Sequence, residues 1–365
     1  MGATFSELHA GKKVYLNVRV REVTVRSILI SDADGIASIP LHELPTELQQ
    51  AFGYQPAREA ISNAHIAMAE HRVEQLARFR RMVETASANA AASAKFSRLL
   101  ASFGKTPSIR PSVDLRPRFR ELSLEIKNQG RRPSCTVFAV VSAYEFENAQ
   151  LLGQSEKLSE DYLIWATCQT LKRAPTLISP DQVAEDHDAS ERDMGFSYGA
   201  VLESLSVFGI APQSAMPNTS GKFGEIPAPS SELIRDSSMR RKLLIHYIPG
   251  LENSDRLDNI IQALNENVPV PIGLSWPSER TSRNGRLNTQ TPIPGYRHAV
   301  TLVGYTCPSG EIENIEFIFR NSYGPSWGEG GYGRASFKYL NENLLGAVVF
   351  EVLRPDEAVR EATQN

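Results

Sequence analysis

The chain has 365 residues, room for two or three domains at roughly 150 each. Apolar residues make up 41% and charged residues 22%, which excludes wholesale disorder and collagen-like repeats. With 39 basic against 42 acidic side chains the net charge is −3, too balanced for a nucleic-acid binder, and no apolar run reaches the ~18 residues of a membrane span.

Residues 1–56 read as a small β-rich domain. The stretch KVYLNVRVREVTVRSILISDADGIASIPL alternates apolar and polar residues, the pattern of half-buried strands. Asp32, Asp34 and Gly35 supply a turn between two of them, and LHELPTELQQAFGY reads as one short helix before Pro56. Over 57–106, Ile61, His65, Met68, Val73, Leu76, Phe79 and Val83 recur at helical steps ahead of the alanine-rich TASANAAASAKFSRLL. A long helix, or two joined by a kink, is expected as a helical linker. The pattern leaves open whether it packs on the next domain, pairs with a second copy or acts as a spacer.

The proline-marked stretch KTPSIRPSVDLRPRFR opens the largest block, 107–355. Its first clear element is the apolar helix TVFAVVSAYEFENAQ. A loop-rich middle follows, then HAVTLVGYT and IENIEFIFRNS, two β-like runs around the turn residues CPSGE. The tail 356–365 is polar and expected to fray.

Chemistry concentrates in this block. Pro133 and Ser134 precede Cys135 and the apolar helix. Proline favours the first helical position and serine the cap, so Cys135 is expected in the first turn. There the unpaired N–H groups and the helix dipole favour a thiolate; a buried structural thiol is the alternative. If CPSGE is a hairpin tip centred near Ser309, His298 faces Arg320 or Asn321 on a strand about 5 Å away. Cys135, His298 and Asn321 then offer a nucleophile, a general base and a group that orients the base.

These residues sit in stretches that resemble the papain-like cysteine proteases. VDLRPRFRELSLEIKNQGRRPSCTVFA is similar to the start of the mature family domain, with Gln129 six residues before Cys135, where the family has its oxyanion-hole glutamine. KLSEDYL resembles the helix that follows the nucleophile helix, and DMGFSYGAVLESLSVFGI the glycine-bearing segment that lines the substrate cleft. GYRHAVTLVGY matches the histidine strand, and RNSYGPSWGEGGYGR the Asn-Ser-aromatic-Gly block. The resemblance implies an α+β, two-lobed papain-like fold: a helical lobe with Cys135 and a β-barrel-like lobe with His298 and Asn321. It implies protein or peptide substrates and no metal or other cofactor. Gly195, Phe196, Ser197, Arg297, Ala299, Tyr323 and Trp327 are the expected cleft residues.

Several positions depart from the family pattern. Arg132 stands where secreted members have a disulfide cysteine, and its partner region offers Cys168 at best, which agrees with a reducing compartment. Three cysteines and an opening MGATFSELHAGKK without an apolar signal core make the cytoplasm the expected location. Thr136 replaces an aromatic and is expected to loosen the cleft wall. Tyr323 replaces the tryptophan that shields the His–Asn bond, with weakened shielding expected. Phe196 stands where a second glycine is common, which would narrow the pocket. Arg297 would lower the histidine pKa if it points inward and matter little if it faces solvent.

Other candidates read as structural. Cys168 lies in an apolar run and Cys307 in a turn, where an exposed thiol is expected. Gly328, Gly330 and Gly333 satisfy a dinucleotide glycine spacing, but no βαβ unit surrounds them. His187 lies among acidic residues of a solvated loop, and His65 and His71 are six apart, a poor spacing for a shared metal. Arg78, Arg80 and Arg81 read as a solvated helix face. The leading expectation is a peptide-bond hydrolase. The alternatives are an inactive or weak peptide-binding scaffold and an amide acyl-transferase of Cys-His-Asn type. The strands of 1–56 do not resemble the largely helical family pro-segment, so residues 1–106 are expected to bind a partner or regulate the cleft.

Overall fold

Alternation of apolar residues fixes the first sheet. A computed structural model describes residues 3–173, 195–219, 226–239, 242–278 and 282–353; the expected tail lies outside them. Strands β1 (Thr4–Ala10), β2 (Lys13–Val23), β3 (Ser27–Ser31) and β4 (Ile36–Pro40) form an antiparallel meander in that order. Leu8, Val18, Val20, Ile28, Ile30 and Ile39 share its buried face with Leu41 and Leu44. The Asp32 carboxylate accepts from the N–H groups of Asp34 (3.0 Å) and Gly35 (2.9 Å), closing the β3–β4 turn. The expected single helix after β4 is instead a 3-10 turn, Leu41–Glu43, and a helix α1 (Thr46–Ala51). Pro45 stands between them, with no N–H to carry the first turn onward.

Helix α2 runs unbroken over Pro56–Ser102. Of its expected apolar stripe, Met68, Val73, Leu76, Phe79 and Val83 are exposed. The chain divides into two compact units, Met1–Val83 and Glu84–Asn365, so the division falls inside this helix rather than at 106. The last turns carry Phe96 and Leu99, both buried in the core of the second unit. There Ser93 Oγ donates to Glu351 Oε1 (2.8 Å) and Lys95 pairs with Glu147 (3.2 Å).

The second unit is built on one large, mostly antiparallel sheet. It comprises β5 (Ser112–Asp114), β6 (Lys242–Tyr247), β7 (Val270–Pro277), β8 (Arg286–Leu287), β9 (Pro292–Thr306), β10 (Glu316–Arg320), β11 (Tyr332–Ser336) and β12 (Leu344–Leu353). The order is β6-β12-β7-β9-β10-β11-β8, with β5 also paired to β9. The helices are α3 (Arg116–Glu121), α4 (Cys135–Leu152), α5 (Glu160–Arg173), α6 (Tyr198–Phe208), α7 (Ser231–Met239), α8 (Asn253–Asn265) and α9 (Phe337–Asn343).

Helix α4 is largely apolar and covered all round: every residue from Thr136 to Ala149 is buried, with Glu145 and Glu147 paired to lysines. Val137, Val140, Val141 and Tyr144 join α5 and α6 residues in a helical-lobe core, which Val348, Phe350 and Val352 of β12 complete. The β-lobe core gathers Val270, Ile272, Leu302, Tyr305 and Phe317 from the sheet with Leu257, Ile260, Ile261 and Leu264 of α8. Two hydrophobic cores, with α4 packed against β7, β9 and β12 of the sheet, give the expected two-lobed α+β arrangement.

Phe317 lies in the second of these cores and is fully buried, whereas Leu251 is 94% exposed. Phe317→Ala is expected to cost about 3–5 kcal/mol in urea unfolding, the usual toll of emptying a core aromatic site. Leu251→Ala is expected to stay within about 0.5 kcal/mol of the parent.

Candidate active site

Cys135 is the first residue of α4, with Ser134 at the cap position. The Ser134 side chain does not cap the helix; its hydroxyl turns to the Arg132 carbonyl at 3.4 Å. The first-turn N–H groups are thus not quenched by a serine oxygen, which keeps the positive end of the helix directed at the thiol. Pro133 lies ahead of the cap, and Cys135 takes the first helical position expected for proline.

His298 lies on β9, between exposed Arg297 and buried Ala299, and is itself 4% exposed. Arg297 therefore faces solvent. The expected register is corrected: His298 pairs with Leu274 of β7, not with Arg320 or Asn321. Arg320 stands opposite Thr301, because a 3-10 turn at Ile312–Asn314 lengthens the hairpin loop and a bulge lies between Ile318 and Phe319. Asn321 follows the end of β10, and its side chain still reaches the ring: His298 Nε2 lies 2.8 Å from Asn321 Oδ1. That oxygen also accepts from the Ser322 N–H at 2.8 Å, which fixes which end of the amide faces the histidine.

Aromatic rings enclose this pair. Tyr323 lies 4.8 Å from the His298 ring centre, with its hydroxyl 3.4 Å from Nδ1. Trp276, fully buried, lies 4.4 Å from the same ring and 6.3 Å from Trp327. Sequence reasoning did not single out Trp276. Its signal was an aromatic closing the apolar run VPVPIGLSW, on the strand that pairs with the histidine strand.

Burial alone pushes the Cys135 thiol up. The charge and hydrogen bond of His298, the Ala299 N–H and the Thr136 hydroxyl outweigh it and hold the thiol below its usual range. Thr136 also donates to the Phe196 carbonyl at 2.8 Å. The expectation of a loosened wall is therefore corrected: the threonine latches segment 195–197 to α4. Phe196 turns into the helical-lobe core and does not narrow a pocket. Ser197 caps α6 by accepting from Ala200 N at 3.3 Å. A β-carbon at exposed Gly195 would lie 3.6 Å from the Pro133 carbonyl, so this glycine borders the nucleophile loop.

Gln129 is held on both sides of its amide. Ser322 Oγ donates to Oε1 (2.5 Å), and Nε2 donates to the Arg132 carbonyl (2.9 Å). The loop itself is tied down by charge. Lys127 Nζ meets Glu145 (2.6 Å) and Glu160 (2.5 Å), and Arg132 meets Asp161 (3.4 Å), whose other oxygen takes the N–H (2.8 Å) and hydroxyl (2.5 Å) of Thr219. Ion pairs to α5 thus anchor the segment where the family resemblance places a disulfide. No disulfide joins Cys135, Cys168 or Cys307. Cys307 is 1% exposed in the β-lobe core, which corrects the expectation of an exposed thiol. Gly328 and Gly330 lie in the loop between antiparallel β10 and β11, not in a strand-to-helix turn. His187 and its acidic neighbours, and the side chains of His65 and Arg81, lie outside the described residues.

Comparison with known proteins agrees with this geometry. Residues 231–345 match the papain family cysteine protease model. A viral cathepsin of Spodoptera litura multicapsid nucleopolyhedrovirus is 27% identical over 62% of this chain and 58% of its own length. Vignain of Phaseolus vulgaris is 26% identical over 64% of this chain and 56% of its own. The chain thus spans little more than half of these two relatives. Xylellain, a cysteine protease from Xylella fastidiosa, superposes with a TM-score of 0.51 at 21% identity, covering 69% of this chain and 92% of that one. Residues 231–345 are thus similar to the papain family, and the second unit shares its fold with a cysteine protease.

Two outcomes follow from these contacts. His298→Ala removes the largest of the influences that hold the Cys135 thiol down and leaves the burial that pushes it up. The pH at which iodoacetamide alkylation of Cys135 reaches half its maximal rate should therefore move upward. Lys127→Met leaves two buried carboxylates without their cation, and thermal or urea unfolding should register a loss of about 3–5 kcal/mol.

Proposed function

We propose that the chain is a cysteine-type peptidase that hydrolyses peptide bonds in protein or peptide substrates. The observation that carries this reading is the thiol at the tip of α4, held below its usual range by an imidazole whose Nε2 is held by Asn321. With Nε2–H donated to Asn321, Nδ1 is the nitrogen that exchanges a proton with sulfur. The thiolate attacks the scissile carbonyl carbon, and the carbonyl oxygen takes up the negative charge. The Cys135 backbone N–H and the second Nε2 hydrogen of Gln129 are the donors suited to that oxyanion; one such donor is typically worth about 3–4 kcal/mol. His298 gives its proton to the leaving amine, then takes one from the water that cleaves the thioester and restores the thiol.

The enclosure of His298 by Trp276 and Tyr323 favours this reading over an inactive scaffold, since it keeps water from competing for the bond to Asn321. Cys135→Ser should abolish turnover of a fluorogenic peptide and labelling by a thiol-directed epoxide. Mass spectrometry should find hydrolysed rather than ligated products. Turnover that persists in the serine variant would overturn the proposal. Three cysteines with no disulfide among them fit a thiol-reducing compartment such as the cytoplasm.

For the first unit, a regulatory or substrate-recruiting role fits a module with its own sheet and core. Removal of residues 1–83 keeps Phe96 and Leu99 in place and separates the two roles. A recruiting module leaves short-peptide cleavage unchanged and slows cleavage of a protein substrate. A covering segment instead raises both rates when removed.

A further inference from the structure

Beneath Asn321 the second unit contains a cavity of about 20 Å³, bordered by Ala139 and Ser142 of α4, Ala299 and Thr301 of β9, Lys127 and Asn321. A buried water needs about 10–15 Å³ and two to four polar partners. Two of the bordering side chains carry a fully buried polar atom that bonds to no protein group, Ser142 Oγ and Asn321 Nδ2. The other polar atoms here are engaged. Lys127 Nζ donates to Glu145, Glu160 and the Leu158 carbonyl. Thr301 Oγ1 donates to the Ala139 carbonyl at 3.0 Å, and Asn321 Oδ1 accepts from His298 and Ser322.

We propose that this cavity is a binding site for one water molecule, which bridges Ser142 Oγ and Asn321 Nδ2 and makes Ser142 a positioning residue for His298. The occupant has to accept from an amide N–H and exchange a hydrogen bond with a hydroxyl. Water meets both conditions, while ammonium cannot accept. Through the bridge, Asn321 is held at both ends of its amide. An amide rotated end for end would present N–H to the His298 Nε2–H, so a fixed Nδ2 preserves the contact that directs Nδ1 at the thiol. Ser142 thus acts on the ring without touching it, through water and Asn321.

The rate consequence rests on the peptidase reading, but the water and its effect on the thiol do not. In a high-resolution crystal structure of the full chain, one ordered water should lie within about 3.2 Å of both Ser142 Oγ and Asn321 Nδ2. Ser142→Ala should loosen Asn321 and weaken the hold of His298 on Cys135. The acid limb of iodoacetamide alkylation should then move upward by about half a pH unit, roughly a threefold loss of thiolate well below the midpoint. The charged and titratable groups that face this chain of contacts are Lys127 with Glu145 and Glu160, Arg320, Tyr198 and Tyr323, and the substitution alters none of them. Peptide kcat should fall about three- to tenfold, the scale of one lost neutral hydrogen bond, with KM within about twofold. Ser142→Val, whose methyl groups fill the cavity, should show the same upward shift with no water at the site. Density without that water in the parent, or an unchanged alkylation profile in both variants, would overturn the proposal. A chain that shows the water and the shift but cleaves no peptide would refute the peptidase reading and leave this one standing.

Discussion

The contact between a thiol on α4 and an imidazole on β9 is the constraint around which the second unit is organised. Each group comes from a different layer, so the two lobes have to meet at a fixed separation. That separation is set by burial: α4 has no solvent face from Thr136 to Ala149 and is clamped between the helical lobe and the sheet. The Thr301 hydroxyl pins the strand to the helix through the Ala139 carbonyl. A core this closely packed resists small displacements, because relative motion of α4 and β9 would open voids along the whole contact.

Electrostatics then decides what the thiol is. Burial works against a thiolate, and the neighbouring imidazole, one backbone N–H and one hydroxyl work for it. The result depends on His298 keeping its orientation, which Asn321 supplies on one side and the rings of Trp276 and Tyr323 on the others. The loop that carries Gln129 is held by ion pairs with Glu145, Glu160 and Asp161 rather than by covalent bonds. Such a loop keeps its geometry without an oxidising environment, at the cost of burying several charges that are strongly interdependent.

The same logic gives Thr136 its place. A residue that reads as a small substitute for an aromatic becomes, in three dimensions, a hydrogen-bonding latch between α4 and segment 195–197. Phe196 is the complementary case, a large residue at a position where a glycine would be expected to open the cleft. Its ring goes to the core, where the helical lobe has room for it, and only its carbonyl serves the site.

By itself the sequence determined the strand alternation of 1–56, the long helix, the apolar helix behind Cys135 and the order of Gln129, Cys135, His298 and Asn321. The elements are properties of local periodicity, which short-range sterics and solvent impose before any packing occurs, whereas the order of those four residues was legible through the family resemblance. Only the tertiary structure decided the strand register that sets His298 opposite Leu274, since a bulge and a 3-10 turn shift it without leaving a periodic trace. It alone brought Trp276 onto the imidazole, sent Cys307 into the core, and placed Ser142 and Asn321 around one cavity. These contacts join residues far apart in the chain, and their partners are chosen by which surfaces bury together, a choice that no local pattern encodes.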